Sequence, residues 1–217
     1  MEKGYFITFE GMEGCGKSTQ IRLLAAALEE AGYAVTADRS PGSTPAAEKL
    51  RRILKEPVEG EKIAPETELL LFGACHSQMV KERILPVLEK GGIFLSDRFC
   101  DSTLAYQGVA RGLGLEAVRW INDYACGKCR PDLTILLDLP PEKGIARAVD
   151  RSGKENSNIR KDRFDSESML FHNNVRNAFL ALAEAEKDRF VVVDAAESVE
   201  FIHRKILEAI HVRLGIL

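Results

Sequence analysis

The sequence predicts a doubly wound α/β domain on a five-stranded parallel sheet, and three observations carry that prediction. Five apolar runs of strand length, YFITFE, YAVTAD, GIFLSD, LTILLDL and FVVVDA, recur along the chain. Longer amphipathic segments separate them, as parallel strands joined by crossover helices require. The stretch GMEGCGKST, Gly11 to Thr19, places a glycine-rich turn between the first strand and the first helix, at the strand ends where such sheets gather their ligands. With 217 residues and 45% hydrophobic content, residues 1–217 are long enough for one full core and short enough to be one domain.

Taken in order, YFITFE opens the sheet and the helix Lys17 to Ala31 returns from it. YAVTAD follows, then helices over Pro45 to Leu54 and Pro65 to Lys90, both starting on a proline suited to a first helical turn. GIFLSD is the third strand, and the next helix spans Leu115 to Ala125. LTILLDL precedes a helix from Pro141 to Val149, and FVVVDA lies between helices Asp165 to Lys187 and Val199 to Leu214. One segment breaks the rhythm: Asp150 to Ser168, DRSGKENSNIRKDRFDSES, is polar, charged and poor in apolar residues. It reads as a mobile lid over about 150–168, inserted between the helix after the fourth strand and the next one; a solvated loop with incidental arginines has the same composition.

Gly11, Gly16, Lys17 and Ser18 match G-x-x-x-x-G-K-[ST] with the strand before and helix after that make the motif meaningful. Glycines there let backbone N–H groups of Gly11, Met12, Glu13, Gly14, Cys15, Gly16, Lys17, Ser18 and Thr19 surround phosphates at a helix N-terminus. Lys17 is placed to reach a transferred phosphate, and the Ser18 hydroxyl to ligate Mg²⁺. A second oxygen ligand for the metal is expected at the end of a nearby strand, where Asp97 stands; an aspartate there is also a common turn former. Arg39 and Arg98 follow strand ends on the same edge. Arginine suits bidentate contact with an oxyanion, so the two together point to a second anion site.

These residues carry a resemblance to the thymidylate kinase family that runs nearly end to end. It rests on GMEGCGKST, on RSPGST (similar to the family's R-x-P-G-G-T), on LLFGACHSQ (similar to F-x-A-x-R), on DRF followed by DSTLAYQG, on RPDLTILLD and on DRFD after the lid. The resemblance implies transfer of the ATP γ-phosphoryl group to dTMP, with Mg²⁺, in a cytoplasmic homodimer. It implies that Arg39 and Arg98 hold the dTMP phosphate and that Glu13 contacts the sugar 3′-hydroxyl. Phe72 would stack on thymine, with His76, Ser102, Thr103 and Gln107 near its polar edge, and Tyr106 would exclude a 2′-hydroxyl. Without the resemblance, Phe72 in LLLF reads equally well as helix core.

The chain departs from the family at two acceptor-side positions. His76 stands where an arginine usually bonds the base, and Asn174 stands where an arginine is frequent in the helix after the lid. A family branch carries its catalytic arginine inside the phosphate loop, at the position of Gly14; the other supplies it from the lid, which points here to Arg151 and Arg147, with Arg160 and Arg163 as further lid cations. An acceptor phosphate with a second pKa near 6 is mostly dianionic at neutral pH and needs no general base. Two rivals stay open: a kinase for another nucleoside monophosphate, and a nucleotide-dependent switch, which would have no use for a second pocket.

The formal net charge of −3 comes from interspersed charges with no basic tail, so nucleic acid is not an expected partner. No run of about 18 apolar residues is present to span a membrane, and Met1 to Glu10 lacks signal-peptide features. The five cysteines are an odd set suited to a reducing compartment. Cys126 and Cys129 in CGKC invite a zinc reading, but a site needs roughly four ligands and no second close pair completes it; the reading is ordinary thiols, with distant ligands left open.

Overall fold

The computed structural model describes residues 3–56, 60–154 and 163–217. Its sheet contains β1 (Tyr5–Glu10), β2 (Val35–Arg39), β3 (Ile93–Asp97), β4 (Leu133–Asp138) and β5 (Phe190–Asp194), ordered β2-β3-β1-β4-β5 with every neighbouring pair parallel. All five expected strands are present, with ends shifted by at most two residues.

β1 is the central strand and is buried on both faces. Its period-2 alternation divides the core: Ile7 and Phe9 pack with Leu24 and Leu28 of α1 (Lys17–Glu30) and with Ile202, Ile206 and Ile210 of α9 (Val199–Leu214). Phe6 faces the opposite layer with Phe94 and Phe99, against Met79 and Ile84. Further along that layer Leu136 and Phe190 pack with Phe171, Val175 and Phe179 of α8 (Met169–Ala185). Helices on both faces explain why these strands read as continuous apolar runs.

The remaining helices are α2 (Pro45–Lys55), α3 (Pro65–Met79), α4 (Leu85–Leu88), α5 (Cys100–Thr103), α6 (Leu115–Cys126) and α7 (Pro141–Lys154). The segment expected as one helix from Pro65 to Lys90 is α3 and α4 joined by a π-helical turn, Val80–Ile84. Sequence reasoning missed α5 and the π-helical turn Leu104–Ala110 that continues it. These residues lie between two packed layers and are mostly buried all round, so they show no amphipathic period.

Boundaries near the lid also differ. α7 runs on to Lys154 rather than stopping at Val149, so 150–154 are helical. A short 3₁₀ turn forms at Arg163–Ser166, and α8 begins at Met169, not Asp165. Ser168 sets that start: its hydroxyl accepts the Phe171 N–H at 3.2 Å and caps the helix.

The chain leaves β1 toward β2 and leaves β3 toward β4, on opposite sides of their shared edge. A crevice therefore opens beyond the carboxyl ends of β1 and β3.

Candidate active site

The Gly11–Thr19 loop lies in that crevice. Gly16 adopts φ 95° and ends the loop without a side-chain cap, so the first N–H groups of α1 face outward for an anion. Gly14, at φ 73°, packs so closely on α7 that a Cβ would sit 2.2 Å from the Gly144 carbonyl oxygen. Lys17 Nζ donates to the carbonyls of Gly11 at 3.2 Å and Met12 at 3.0 Å, closing the loop on itself. Ser18 Oγ donates to Asp97 Oδ2 at 3.2 Å. Two oxygen ligands expected for Mg²⁺ thus meet from α1 and β3, a donor set that suits a hard, oxygen-seeking cation.

Arg98 follows Asp97 at φ 70°, a conformation that strains a bulky side chain by roughly 1 to 3 kcal/mol. Its N–H donates to the Phe9 carbonyl at 2.9 Å, which anchors the turn to β1. The guanidinium points back across the crevice, donating to Ser102 Oγ at 3.1 Å and lying 4.0 Å from Glu10 and 3.9 Å from Glu13. It also covers the Tyr106 ring at 5.2 Å. Glu10 is fully buried, accepting the Phe99 N–H at 2.8 Å and the Ser102 hydroxyl at 2.6 Å. Burial and then Asp101 push its carboxyl up to about 7, against the opposing pull of Arg98, Ser102 and the Phe99 N–H.

A cavity of about 330 Å³ joins this cluster to the loop. Met12, Glu13, Gly14, Gly16, Lys17, Ser18 and Thr19 line it on the loop side, with Arg39, Phe72, His76, Asp97, Arg98, Ser102, Tyr106 and Gln107 around the rest. Arg39 is half-exposed and paired with Glu48 at 3.3 Å. The Phe72 ring lies 6.2 Å from Phe164, on which Tyr106 packs edge-on at 5.9 Å. His76 is buried, and burial lowers its pKa to about 4, leaving a neutral imidazole at pH 7.

Glu68 forms the back of this end. Fully buried, it accepts from Gln107 Nε2 at 2.7 Å, Arg111 Nε at 3.2 Å and Arg163 Nη2 at 2.5 Å. Arg163, within the segment expected as the lid, is thereby tied to α3 and to the π-helical turn carrying Gln107.

Two expected site residues are elsewhere. Thr103 is fully buried and does not line the cavity; its hydroxyl meets the Cys100 carbonyl at 2.7 Å and Asn122 Oδ1 at 2.9 Å. It follows Ser102 on a helix, and successive helical residues point about 100° apart. Arg147 donates to the Ala195 carbonyl at 2.9 Å, at the end of β5, and does not line the cavity. Arg163 is held by Glu68 and by the Leu54 carbonyl at 3.1 Å and does not line the cavity. Arg160 and the Arg151 side chain lie outside the described residues. Gly11 and Cys15 belong to the loop but do not line the cavity; Cys15 is buried beneath it.

Sequence reasoning missed seven lining residues: Ser40, Pro41, Arg51, Lys55, Phe99, Phe164 and His172. Arg51 and Lys55 look like ordinary surface charges of an amphipathic helix, and Arg51 donates to the Pro41 carbonyl at 2.7 Å. His172 reads as packing within α8. Phe164, between two charged residues in DRFD, is the one aromatic residue in a polar stretch, and that was a usable signal.

Comparisons with known proteins bear on the family and the fold. The family model described as "Thymidylate kinase" matches residues 9–206. The chain is 47% identical over 211 residues to a thymidylate kinase of Citrifermentans bemidjiense, covering 97% of this chain and 93% of that one. It is 49% identical over 197 residues to one of Geobacter sulfurreducens, covering 91% and 92%. The crystal structure of thymidylate kinase from Ehrlichia chaffeensis superposes with a TM-score of 0.75 at 28% identity, covering 96% of this chain and 99% of that one. The chain belongs to the thymidylate kinase family.

Proposed function

We propose that the chain transfers the γ-phosphoryl group of ATP to dTMP, giving dTDP and ADP, as a single domain with a lid over about 150–168. The observation that carries this reading is the cavity shared by the phosphate loop and a second, arginine-bearing pocket with aromatic walls. A nucleotide switch would not require that second pocket.

In this reading the loop N–H groups and Lys17 hold the donor phosphates, and Lys17 exchanges its loop carbonyls for phosphate oxygens. Ser18 and Asp97 hold Mg²⁺, which supplies charge neutralisation between the two polyanions. Arg98, with Arg39, orients the acceptor phosphate. The carboxylates around Arg98 and the Ser102 hydroxyl fix its direction, so little reorganisation accompanies binding. Glu13 meets the sugar 3′-hydroxyl and Tyr106 blocks a 2′-hydroxyl. Phe72 and Phe164 enclose the base, with His76, Ser102 and Gln107 along its edge; aromatic stacking contributes roughly 1 to 3 kcal/mol.

The lid supplies Arg151 to the transferring phosphoryl group. Gly14 offers no alternative, because the Gly144 carbonyl occupies the space a side chain there would need. Closure excludes water and limits hydrolysis of ATP. The exposed stacked pair Trp120 and Tyr124 on α6, with Leu70 on α3, supports a homodimer through that face. Among the described residues no helix is long and apolar enough to cross a membrane, and we place the enzyme in the cytoplasm.

His76 favours a second reading, a different pyrimidine monophosphate, because a neutral imidazole replaces a fixed charge at the base edge. A panel of dTMP, dUMP, dCMP, dGMP and UMP with ATP and Mg²⁺, followed by ADP release, separates the two. We expect dTMP to give the highest kcat/KM; equal rates across the panel would refute the dTMP assignment.

A further inference from the structure

Behind the cavity wall, donor atoms from three separate elements converge. His76 on α3, Cys100 opening α5 and Cys126 closing α6 are each more than nine-tenths buried. His76 Nδ1 lies 3.7 Å from Cys100 Sγ, and Cys100 Sγ lies 3.2 Å from Cys126 Sγ. All three atoms fall within 4.8 Å of one another. Cys129 is one turn further on, its N–H donating to the Cys126 carbonyl at 3.1 Å, and it is buried in the same apolar cluster. The spacing of Cys126 and Cys129 is that of a zinc-binding pair. The distant partners that the sequence could not supply are Cys100 and His76.

Tetrahedral zinc, with bonds of about 2.3 Å to sulfur and about 2.0 Å to nitrogen, places its donor atoms roughly 3.5 to 3.8 Å apart. The His76 to Cys100 separation meets this already, and the Cys100 to Cys126 pair needs to open by about 0.5 Å. Soft thiolates and an imidazole favour zinc over the hard cations that suit Ser18 and Asp97. The surroundings are apolar, with Phe6, Phe94 and Phe99 in the same cluster, so thiolates there require a bound cation to offset their charge.

We propose that His76, Cys100, Cys126 and Cys129 form a Cys₃His zinc site that pins α3, α5 and α6 together behind the acceptor pocket. The Cys129 thiol is not within 4.8 Å of all three of those atoms, so as the fourth ligand it has to rotate toward them when the metal binds. With Nδ1 committed to the metal, Nε2 of His76 is the protonated nitrogen, so the imidazole has one fixed tautomer. Because His76 lines the cavity, the site then turns it into an obligatory hydrogen-bond donor. That consequence rests on the acceptor pocket described above, whereas the metal site does not.

The test uses the full chain, reduced, with zinc alone. After loading with excess Zn²⁺ and gel filtration, elemental analysis should find about one zinc per chain. Co²⁺ in its place should give a thiolate-to-metal charge-transfer band with tetrahedral d–d bands. The double variant Cys126→Ser, Cys129→Ser should retain at least roughly tenfold less zinc. Wild-type retention below about a tenth of an equivalent overturns the proposal, as does a cobalt spectrum without the charge-transfer band or a variant that retains zinc like the wild type. A Cys100–Cys126 disulfide in the isolated protein, with no zinc uptake after reduction, overturns it too. Should the variant not fold, the wild-type cobalt spectrum decides. None of these readouts involves turnover, so failure here is distinct from failure of the monophosphate panel.

Discussion

Glu10 should make the stability of this protein fall as pH rises through neutrality. Its carboxyl is fully buried and its pKa is raised from an ordinary 4.5 to about 7, first by burial and then by Asp101. Between those two values the folded chain holds more protons than the unfolded chain, so the slope of unfolding free energy with pH is negative. The contribution is complete below about pH 4.5 and lost above about pH 7. A shift of that size corresponds to about 3 kcal/mol, at about 1.36 kcal/mol per pH unit. Glu10→Gln removes the titration while keeping an oxygen for the Phe99 N–H; the new amide can donate to Ser102 Oγ, which then accepts from both that amide and Arg98.

The assay is urea denaturation of wild type and Glu10→Gln at intervals from about pH 4.5 to about pH 8. The difference between the two isolates Glu10 from the other groups that titrate in this range. Wild type should lose about 3 kcal/mol more than the variant across the interval. Curves that stay parallel to within about 0.5 kcal/mol would show that Glu10 is ionised throughout and refute the reasoning.

Three other predictions concern the lid and its anchor. Glu68→Ala leaves Arg111 and Arg163 without their buried carboxylate, and we expect a loss of about 3 to 5 kcal/mol by chemical denaturation, with a raised KM for dTMP because Gln107 loses its orienting partner; an unchanged midpoint would remove Glu68 as the anchor. Arg151→Ala should lower kcat by roughly 10² to 10⁵ with little change in nucleotide Kd, and unchanged steady-state turnover would take Arg151 out of the mechanism. Gly14→Arg in the Arg151→Ala background should not restore kcat, since a Cβ there meets the Gly144 carbonyl at 2.2 Å and the backbone sits at φ 73°; full rescue would mean that α7 gives way readily.

Much of the fold and half of the site are legible in the sequence. The strands show because sheets covered on both faces need continuous apolar runs, and the phosphate loop shows because its chemistry is local: Gly11 to Ser18 are consecutive, bracketed by a strand and a helix. Asp97 and Arg98 are legible from their place at a strand end, although only the register of β3 against β1 brings Asp97 to Ser18. The helix Cys100–Thr103 is not legible, because residues buried on every side lose the periodic pattern that marks a surface helix.

The sequence by itself determined the layers of this protein and the glycine-rich loop between β1 and α1, since each depends on residue types at short, fixed spacing, and it put Asp97, Arg98 and Arg39 at strand ends. Tertiary structure alone decided which side chains reach the pocket: Ser102 lines it while Thr103 turns away, and Arg147 goes to Ala195 while Arg51 faces inward. It alone brought His76 to Cys100 and Cys126, and Arg163 to Glu68. The direction of a side chain is set by how its element packs on others far away in the chain, and contacts across such separations leave no local pattern to read.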